Sequence, residues 1–588
     1  MTTNATANLA VLYDARERQW LRFTNPVTIL TATEIGAVPE ILNEVAAAAK
    51  KKLYAVGFVT YEAAPAFDPA LTVKPDTDLP LAWFAIYSEA QALRFPGVAN
   101  VTPVTLSWKL SVTEEIYRAA LQRIKDYIHA GATYQVNYTF RMRAPFRQDP
   151  WQLFVRMIHA QGYGYGAYID TGDWSICSAS HELFFAYEAN RLTSRPMKGT
   201  AARGMTLADD REQADWLQHS AKNRAENLMI VDMVRNDIGH IAETGSVQTC
   251  SLFDIEKYPT LWQMTSMVQA TSRADIGAIF RALFPPASIT GAPKARTMEI
   301  IAELETEPRK IYTGSIGLVR PDQSAQFNVA IRTVYVDKDQ HTAEYGVGGG
   351  IVWDSEIQNE LEECHTKARV LTHVEEEFDL LETLLWTPGQ GYTLLLFHLE
   401  RLQNSAEYFS RPLDPELLRV KLAETARQLT PQPHRIRLRL TRSGEIVITT
   451  EPLQELARDY RIHLASRPVD PVHDRYLHHK TTRRQVYQQL LAEHPGYDDV
   501  LLYNTNNEIT ESCIANVVVE LNGLRITPPL SCGLLPGTCR RDLLEKGEIQ
   551  EGVIKLPDLQ NHSRIFLINS VRGMWEATLT TAAQSPAL

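Results

Sequence analysis

Arg195-Pro196-Met197-Lys198-Gly199-Thr200 is the stretch on which the reading of the N-terminal portion turns. Pro196 and Gly199 punctuate it, so it reads as a bend or strand end and not as a helix interior. A lysine held there by a stiff backbone and withdrawn from water would be a neutral amine, and a neutral amine is a nucleophile. Taken alone, these six residues also fit a surface turn that happens to carry one lysine. The neighbours decide between the two.

Upstream, Ser111-Val-Thr-Glu114 has capping-box spacing, and Ile116, Leu121, Ile124 and Ile128 follow at helical spacing with Gly131 as the stop. Tyr134-Gln135-Val136-Asn137 comes next, then strand-like text from Tyr163 to Phe185. Downstream, a second helix carries Glu226 to Asp237, and a third opens at Gly291-Ala-Pro293, with proline in the first turn. Strands are expected over Ile311 to Val319 and Ala325 to Val336, followed by the glycine run Gly346-Val-Gly348-Gly349-Gly350. Ser355-Glu-Ile-Gln358 reads as another capping box, opening a helix on which Glu360, Glu363 and Lys367 share one face. The acidic Val374-Glu-Glu-Glu377 reads as a junction. Beyond it come strands over Asp379 to Trp386 and Tyr392 to Phe397, and a helix from about His398. The expected architecture is α/β (α+β) in two domains, 1–373 and 374–588: a large one of packed β-sheets with surrounding helices, then a smaller α/β one.

With 588 residues, 44% hydrophobic and 22% charged, the chain can bury sizeable cores. A formal net charge of -11 without a Lys/Arg block argues against nucleic acid as the main partner. Six scattered cysteines without a CxxC pair read as free thiols in a reducing compartment and offer no zinc spacing. The N-terminus lacks a signal-peptide pattern and no apolar run reaches membrane-spanning length, so a cytoplasmic protein with no membrane partner is expected.

Three carboxylates fall on well-formed elements: Glu226 and Glu363 on helices, and Glu182 in Ser180-His181-Glu182-Leu183. Carboxylates on two helices can meet over one Mg2+, a hard cation that keeps several waters and suits anionic substrates. Glycine-run N–H groups left unpaired bind carboxylates or phosphates, and Arg332 is suited to a bidentate carboxylate contact. The alternative is that the glutamates are solvated helix-face charges and the glycines a tight turn.

Glu226 to Asp237, Ser288-Ile-Thr290-Gly291-Ala-Pro293-Lys294, Arg309-Lys-Ile-Tyr312-Thr313-Gly314 and Gly348-Gly-Gly-Ile-Val-Trp-Asp354-Ser355 closely resemble the motifs of the chorismate-utilising enzymes, which include anthranilate, aminodeoxychorismate, isochorismate and salicylate synthases. The resemblance covers roughly residues 10 to 370. It implies packed sheets around a buried Mg2+–chorismate site, with Glu226 and Glu363 on the metal and Glu360 nearby. It assigns the substrate's carboxylates to Arg332, Tyr312 and the amides of Gly348, Gly349 and Gly350, and places Thr290, Gly291 and Lys367 in the substrate site. Where isochorismate and salicylate synthases carry a water-activating lysine this chain has Gln135, which disfavours a water route. Where anthranilate synthases have alanine this chain has Lys198, as aminodeoxychorismate synthases do, so the amine is expected to attack C2 before ammonia enters at C4. Glu182 matches the family's acid/base glutamate. Two positions depart from the pattern: His181 stands where proline is usual, and Gln263 where many members have histidine. With no glutaminase motif present, the ammonia is expected from a separate glutamine amidotransferase subunit.

The C-terminal portion has its own lysine in His478-His479-Lys480-Thr481, which alone would read as a surface charge. Downstream lie Glu508 to Asn516, Leu535-Pro-Gly537-Thr538 leading into helical text, and Asn569-Ser570-Val-Arg572-Gly573. A lysine, a glutamate and a helix N-terminus for phosphate are the parts pyridoxal phosphate (PLP) requires. This order resembles the fold-type IV PLP enzymes: branched-chain and D-amino-acid aminotransferases and aminodeoxychorismate lyase. By that resemblance Lys480 is the Schiff-base lysine, Glu511 the partner of the pyridine nitrogen and Arg401 the phosphate arginine. Gly537, Thr538 and Ser570 are further phosphate contacts, Leu535 packs on the ring, and a homodimer through this domain is implied. The likeness covers about residues 378 to 580 and lacks the family's first strands. Motifs do not separate lyase from aminotransferase; the fusion to an aminodeoxychorismate-forming site favours the lyase. An anthranilate-type synthase fused to an aminotransferase, and a chorismate-binding protein without catalysis, remain the alternatives.

Overall fold

The structure, a computed structural model, describes residues 8–76, 78–97, 106–372, 377–456, 459–521, 523–559 and 564–580. It divides into two compact units: residues 1–203 with 213–375, and residues 204–212 with 376–588. Most of the acidic junction (residues 374–376) lies outside the described residues. Among the described residues no helix is long and apolar enough to cross a membrane, and all six cysteines are free thiols.

The first unit is built on two ten-stranded antiparallel sheets. Successive side chains leave a strand on opposite faces, so one strand feeds two cores. In Tyr54–Val59, Val56 and Phe58 enter a core shared by both sheets, with Trp83, Ile169 and Ile176. Ala55 and Val59 instead face a second core under the helices Val38–Lys50, Ala221–Gly239 and Ile276–Leu283. The helices Glu114–His129, Pro150–Gln161, Lys294–Leu304 and Ile357–Thr372 cover the other sheet.

The glycine run is strand, not turn. It lies in Thr342–Ile351, paired residue for residue with Val136 to Pro145. Asn137 N–H goes to Thr290 O, and Thr139 N–H to Glu305 Oε1, both away from the glycines. In an antiparallel ladder the residues opposite them, Gly350 and Gly348, must then also turn their backbone groups outward. The Lys367 ammonium indeed donates to Gly348 O at 2.8 Å. On that outward side, pairing with Thr333–Asp337 stops at Tyr345. Gly348 and Gly350 therefore present free-edge amides, whereas Gly349 turns its own toward the partner strand.

Several expected boundaries shift for local reasons. Thr113, not Ser111, caps the helix Glu114–His129, accepting from Ile116 N–H, while Ser111 Oγ accepts from Arg141 N–H. Ile116 is consequently exposed and Tyr117 takes the core position. Gly291–Ala292 forms a short strand, so Pro293 is the residue before the helix and not its first turn. Ile311 and Tyr312 precede their strand, which starts at Ser315, and the run 325–336 is two strands broken around a left-handed Arg332. Ser355 Oγ accepts from Val352 N–H behind a helix that starts at Ile357. In the second unit, only Tyr392 of the expected second strand is in a strand, the short Gly391–Tyr392, and the helix begins at Leu395.

The second unit carries a four-stranded sheet covered by Leu395–Tyr408 and Pro415–Gln428, and an eight-stranded sheet. An additional pairing, Glu511 with Asn516, joins Ile509–Ser512 to Asn516–Leu521 and closes six of those eight strands into a ring.

A buried ion pair backs the glycine ladder. Arg309 reaches Glu305 at 2.6 and 3.0 Å and donates to Asn137 O and Ile289 O, with both side chains nearly sealed from water. Glu305→Ala would leave a buried guanidinium uncompensated, so we expect a loss of about 3–5 kcal/mol, read as a lower urea midpoint at unchanged slope. An unchanged midpoint would remove this pair from the account of stability.

Candidate functional sites

In the first unit, a cavity of about 120 Å3 is lined by Lys198, Glu182, Glu226, Glu363, Lys367 and Arg332, among others. Lys198 arrives on the strand Met197–Ala202, whose pairing with Leu261–Thr271 slips by one residue between Met197 and Thr200. This bulge places Lys198 where a Cβ on Gly350 would come within 2.8 Å of its Nζ. Glu182 stands immediately before the strand Leu183–Glu188 and is 3% exposed. Glu226 comes from the helix Ala221–Gly239, capped by Ser220. Glu360, Glu363 and Lys367 come from Ile357–Thr372, with Lys367 bridging Glu363 at 2.7 Å.

The left-handed backbone at Arg332 (φ 53°) turns its guanidinium into the cavity, and its buried Nε has no protein partner. Tyr312 packs its ring where a side chain on Gly346 would lie, with a Cβ only 2.1 Å from the ring. Gly348 and Gly350 line the cavity. Three expected residues are placed otherwise. Thr290 spends its hydroxyl on Pro286 O and Ala287 O, and Gly291 pairs with Val136; neither is among the cavity-lining residues. Gly349 turns its amide away, as the ladder requires.

Charge withdrawn from water sets the protonation states. Burial pushes Glu182 up to about 7, against the opposing pull of a Ser288 hydrogen bond and of Lys198. Burial pushes the Lys198 amine down, while Glu226 resists. Glu226 and Glu360 are raised by burial, Glu360 further by the charge of Glu363. Glu363 would rise by desolvation too, but Lys367 reverses this and holds it low. Among the described residues no three Asp, Glu, His or Cys groups stand close enough to share a metal. Mg2+ that keeps its waters ordinarily takes only one or two carboxylates, a number that Glu226 and Glu363 could supply from this lining; Glu360 lines the cavity as well.

The second unit holds a cavity of about 430 Å3, and Lys480, Glu511, Arg401, Leu535, Gly537, Thr538 and Ser570 all line it. Burial and the Arg401 charge bring the Lys480 amine down to about 8. Glu511 is pushed up to about 7 by burial and accepts from Tyr487 OH at 2.7 Å and Leu535 N–H at 3.2 Å. Gly537 caps the helix Thr538–Glu545, and a Cβ there would fall 1.8 Å from Asn516 Oδ1, so the chain must pass bare at the helix start. A desolvated lysine, a buried carboxylate and a helix N-terminus facing one cavity fit PLP.

Sequence reasoning missed the partners of Arg401. Its guanidinium forks onto Glu382 at 2.8 and 2.6 Å, and His398 Nδ1 meets the same carboxylate at 2.7 Å. The i, i+3 spacing of His398 and Arg401 on one helix was the available signal; Glu382, on a strand, gave none. Tyr487, on the helix Gln485–Ala492, and Asn516, which pairs with Glu511 on the neighbouring strand, were missed likewise.

Residues 95–373 match the chorismate binding enzyme family and residues 379–579 the amino-transferase class IV family. The chain is 38% identical over 276 residues to aminodeoxychorismate synthase component 1 of Escherichia coli (strain K12), covering 46% of this chain and 60% of that one. It is 39% identical over 277 residues to the same-named protein of Bacillus subtilis (strain 168), covering 46% and 58%. The chain thus spans about 60% of the length of these relatives. Anthranilate synthase component I from Streptococcus pneumoniae TIGR4 has the same fold over the first unit, with a TM-score of 0.53 at 23% identity, covering 63% of this chain and 94% of that one.

Glu182 generates a pH prediction. Raised from 4.5 to about 7, its carboxyl keeps a proton in the folded chain that the unfolded chain has lost. Folding then binds a proton across that window, so stability falls as pH rises from about 4.5 to 7, by at most about 1.4 kcal/mol per unit. Glu182→Gln should flatten this part of the stability–pH profile; an unchanged slope would mean the group titrates normally.

Proposed function

We propose that this chain, in which a chorismate-binding-enzyme domain is followed by a class IV amino-transferase domain, catalyses two consecutive steps. The first aminates chorismate at C4 with ammonia, and the second removes pyruvate to leave 4-aminobenzoate. The carrying observation is Lys198: a desolvated amine whose pKa is lowered, sharing a cavity with a carboxyl that burial pushes up to about 7.

Arg332 and the outward amides of Gly348 and Gly350 suit the carboxylates of chorismate. Mg2+, held by Glu226 and Glu363, would supply positive charge against one of them. Lys198 then forms a bond to C2 through its lone pair, the ring double bonds shift, and the C4–oxygen bond breaks. Glu182 delivers the proton with which that hydroxyl leaves as water. Ammonia entering at C4 reverses the shift and expels the lysine. Both relatives are named component 1, and we read this as ammonia arriving from a separate glutamine amidotransferase.

In the second cavity, PLP would supply the electron sink. In this reading Lys480 would take the C4 proton, Glu511 would hold the pyridine nitrogen, and the Gly537–Thr538 helix start with Arg401 would hold the phosphate. Ser570 Oγ donates to Thr383 O at 3.3 Å, beside the same space.

The test is product identity. With chorismate, Mg2+, ammonium and PLP the protein should form 4-aminobenzoate. Lys480→Ala should cut that product by roughly 10²–10⁴-fold and accumulate aminodeoxychorismate. Anthranilate as the aromatic product of the unmodified chain would overturn the assignment.

A further inference from the structure

Lys198 owes its position to a backbone irregularity, and one side chain fills it. Thr200 lies opposite Gln263, but Met197 lies opposite Thr265, so three steps on one strand face two on the other. The surplus falls at Lys198-Gly199, with Gly199 left-handed at φ 93°. A bulge leaves backbone groups outside the ladder. Here the Gln263 amide nitrogen donates to Gly199 O at 2.8 Å, and Gln263 Oε1 accepts from Thr200 Oγ at 3.2 Å. The Gln263 side chain also stands beside His181, the residue next to Glu182, on the lining of the cavity. Both are buried, Gln263 at 6% and His181 at 3% exposure, and the His181 ring is wedged edge-on against Tyr258, centroids 4.7 Å apart.

We infer that Gln263 is a positioning residue for the first reaction: through Gly199 O and Thr200 Oγ it closes the bulge that aims Lys198, and it braces the nucleophile's strand beside the segment carrying Glu182. The inference rests on the reading of Lys198 as nucleophile. A lysine has four rotatable bonds, and only a fixed Cα direction keeps its nitrogen at Gly350. Near-attack geometry is steep: a displacement of about 1 Å costs on the order of 10²-fold. Gln263 needs no contact with the substrate to exert this effect.

The experiment follows adduct formation on the Lys198 peptide by mass, with chorismate and Mg2+ and without ammonia. Gln263→Glu keeps size but loses the N–H that serves Gly199 O, and Gln263→Leu removes the whole relay. Both should form the adduct at least tenfold more slowly, with chorismate affinity within about threefold of the unmodified chain. Turnover of supplied aminodeoxychorismate, which uses the other cavity, should be unchanged, and the retained chorismate affinity reports that the first unit is folded. Adduct formation at the unmodified rate in Gln263→Glu would overturn the inference, as would a defect confined to chorismate affinity. An unmodified chain that forms no adduct at all would sink the nucleophile reading itself, and the two failures are thereby distinguishable.

Discussion

Charge taken out of water must be compensated, and the first cavity is arranged around that constraint. Lys367 is matched by Glu363 at 2.7 Å and by Gly348 O, and Lys222 by Glu360 at 3.6 Å. Lys198 is treated differently. It meets Glu226 and Glu182 through space, and desolvation outweighs their attraction, so its pKa is lowered. A fully paired lysine would be an inert cation. The same argument explains why Glu182 rises to about 7 and Glu363 does not: Lys367 hydrogen-bonds one of them and only faces the other from a distance.

The second cavity obeys the same rule with different residues. Arg401 would be a costly buried charge, but Glu382 takes it bidentately, and the same carboxylate orients His398, whose Nε2 meets Thr538 Oγ at 3.2 Å. Glu382 is held down to about 2 by these partners despite its burial. The Arg401–Thr538 corner is therefore fixed by protein contacts alone, which is how electrostatic preorganisation is built. Lys480, with no such carboxylate on it, falls to about 8.

Much of the site was legible because its chemistry is carried by residue type at fixed spacing. Glu363 and Lys367 are one helical turn apart, and that periodicity alone puts them together. Lys480 and Glu511, and the glycine before Thr538, were legible from their order. Errors came where a second partner competed. Ser111 has cap spacing, yet its hydroxyl serves Arg141 N–H and Thr113 caps instead. Thr290 lies in a motif shared with the substrate site, but its hydroxyl satisfies local carbonyls and does not reach the cavity. The glycines were expected to offer three amides, and strand pairing leaves only alternate ones facing out.

By itself the sequence determined the two lysines, the carboxylates around the first, the helix periodicities and the order of motifs, since these depend on side-chain chemistry and short-range spacing. Tertiary structure alone decided the rest. It chose which glycine amides face the cavity, because a ladder of period two selects them by register. It joined Gln263 to Gly199 and Glu382 to Arg401, residues with no periodicity to link them. It also decided that Lys198 is the desolvated amine, because desolvation depends on which other strands close over a side chain, and no local pattern encodes that.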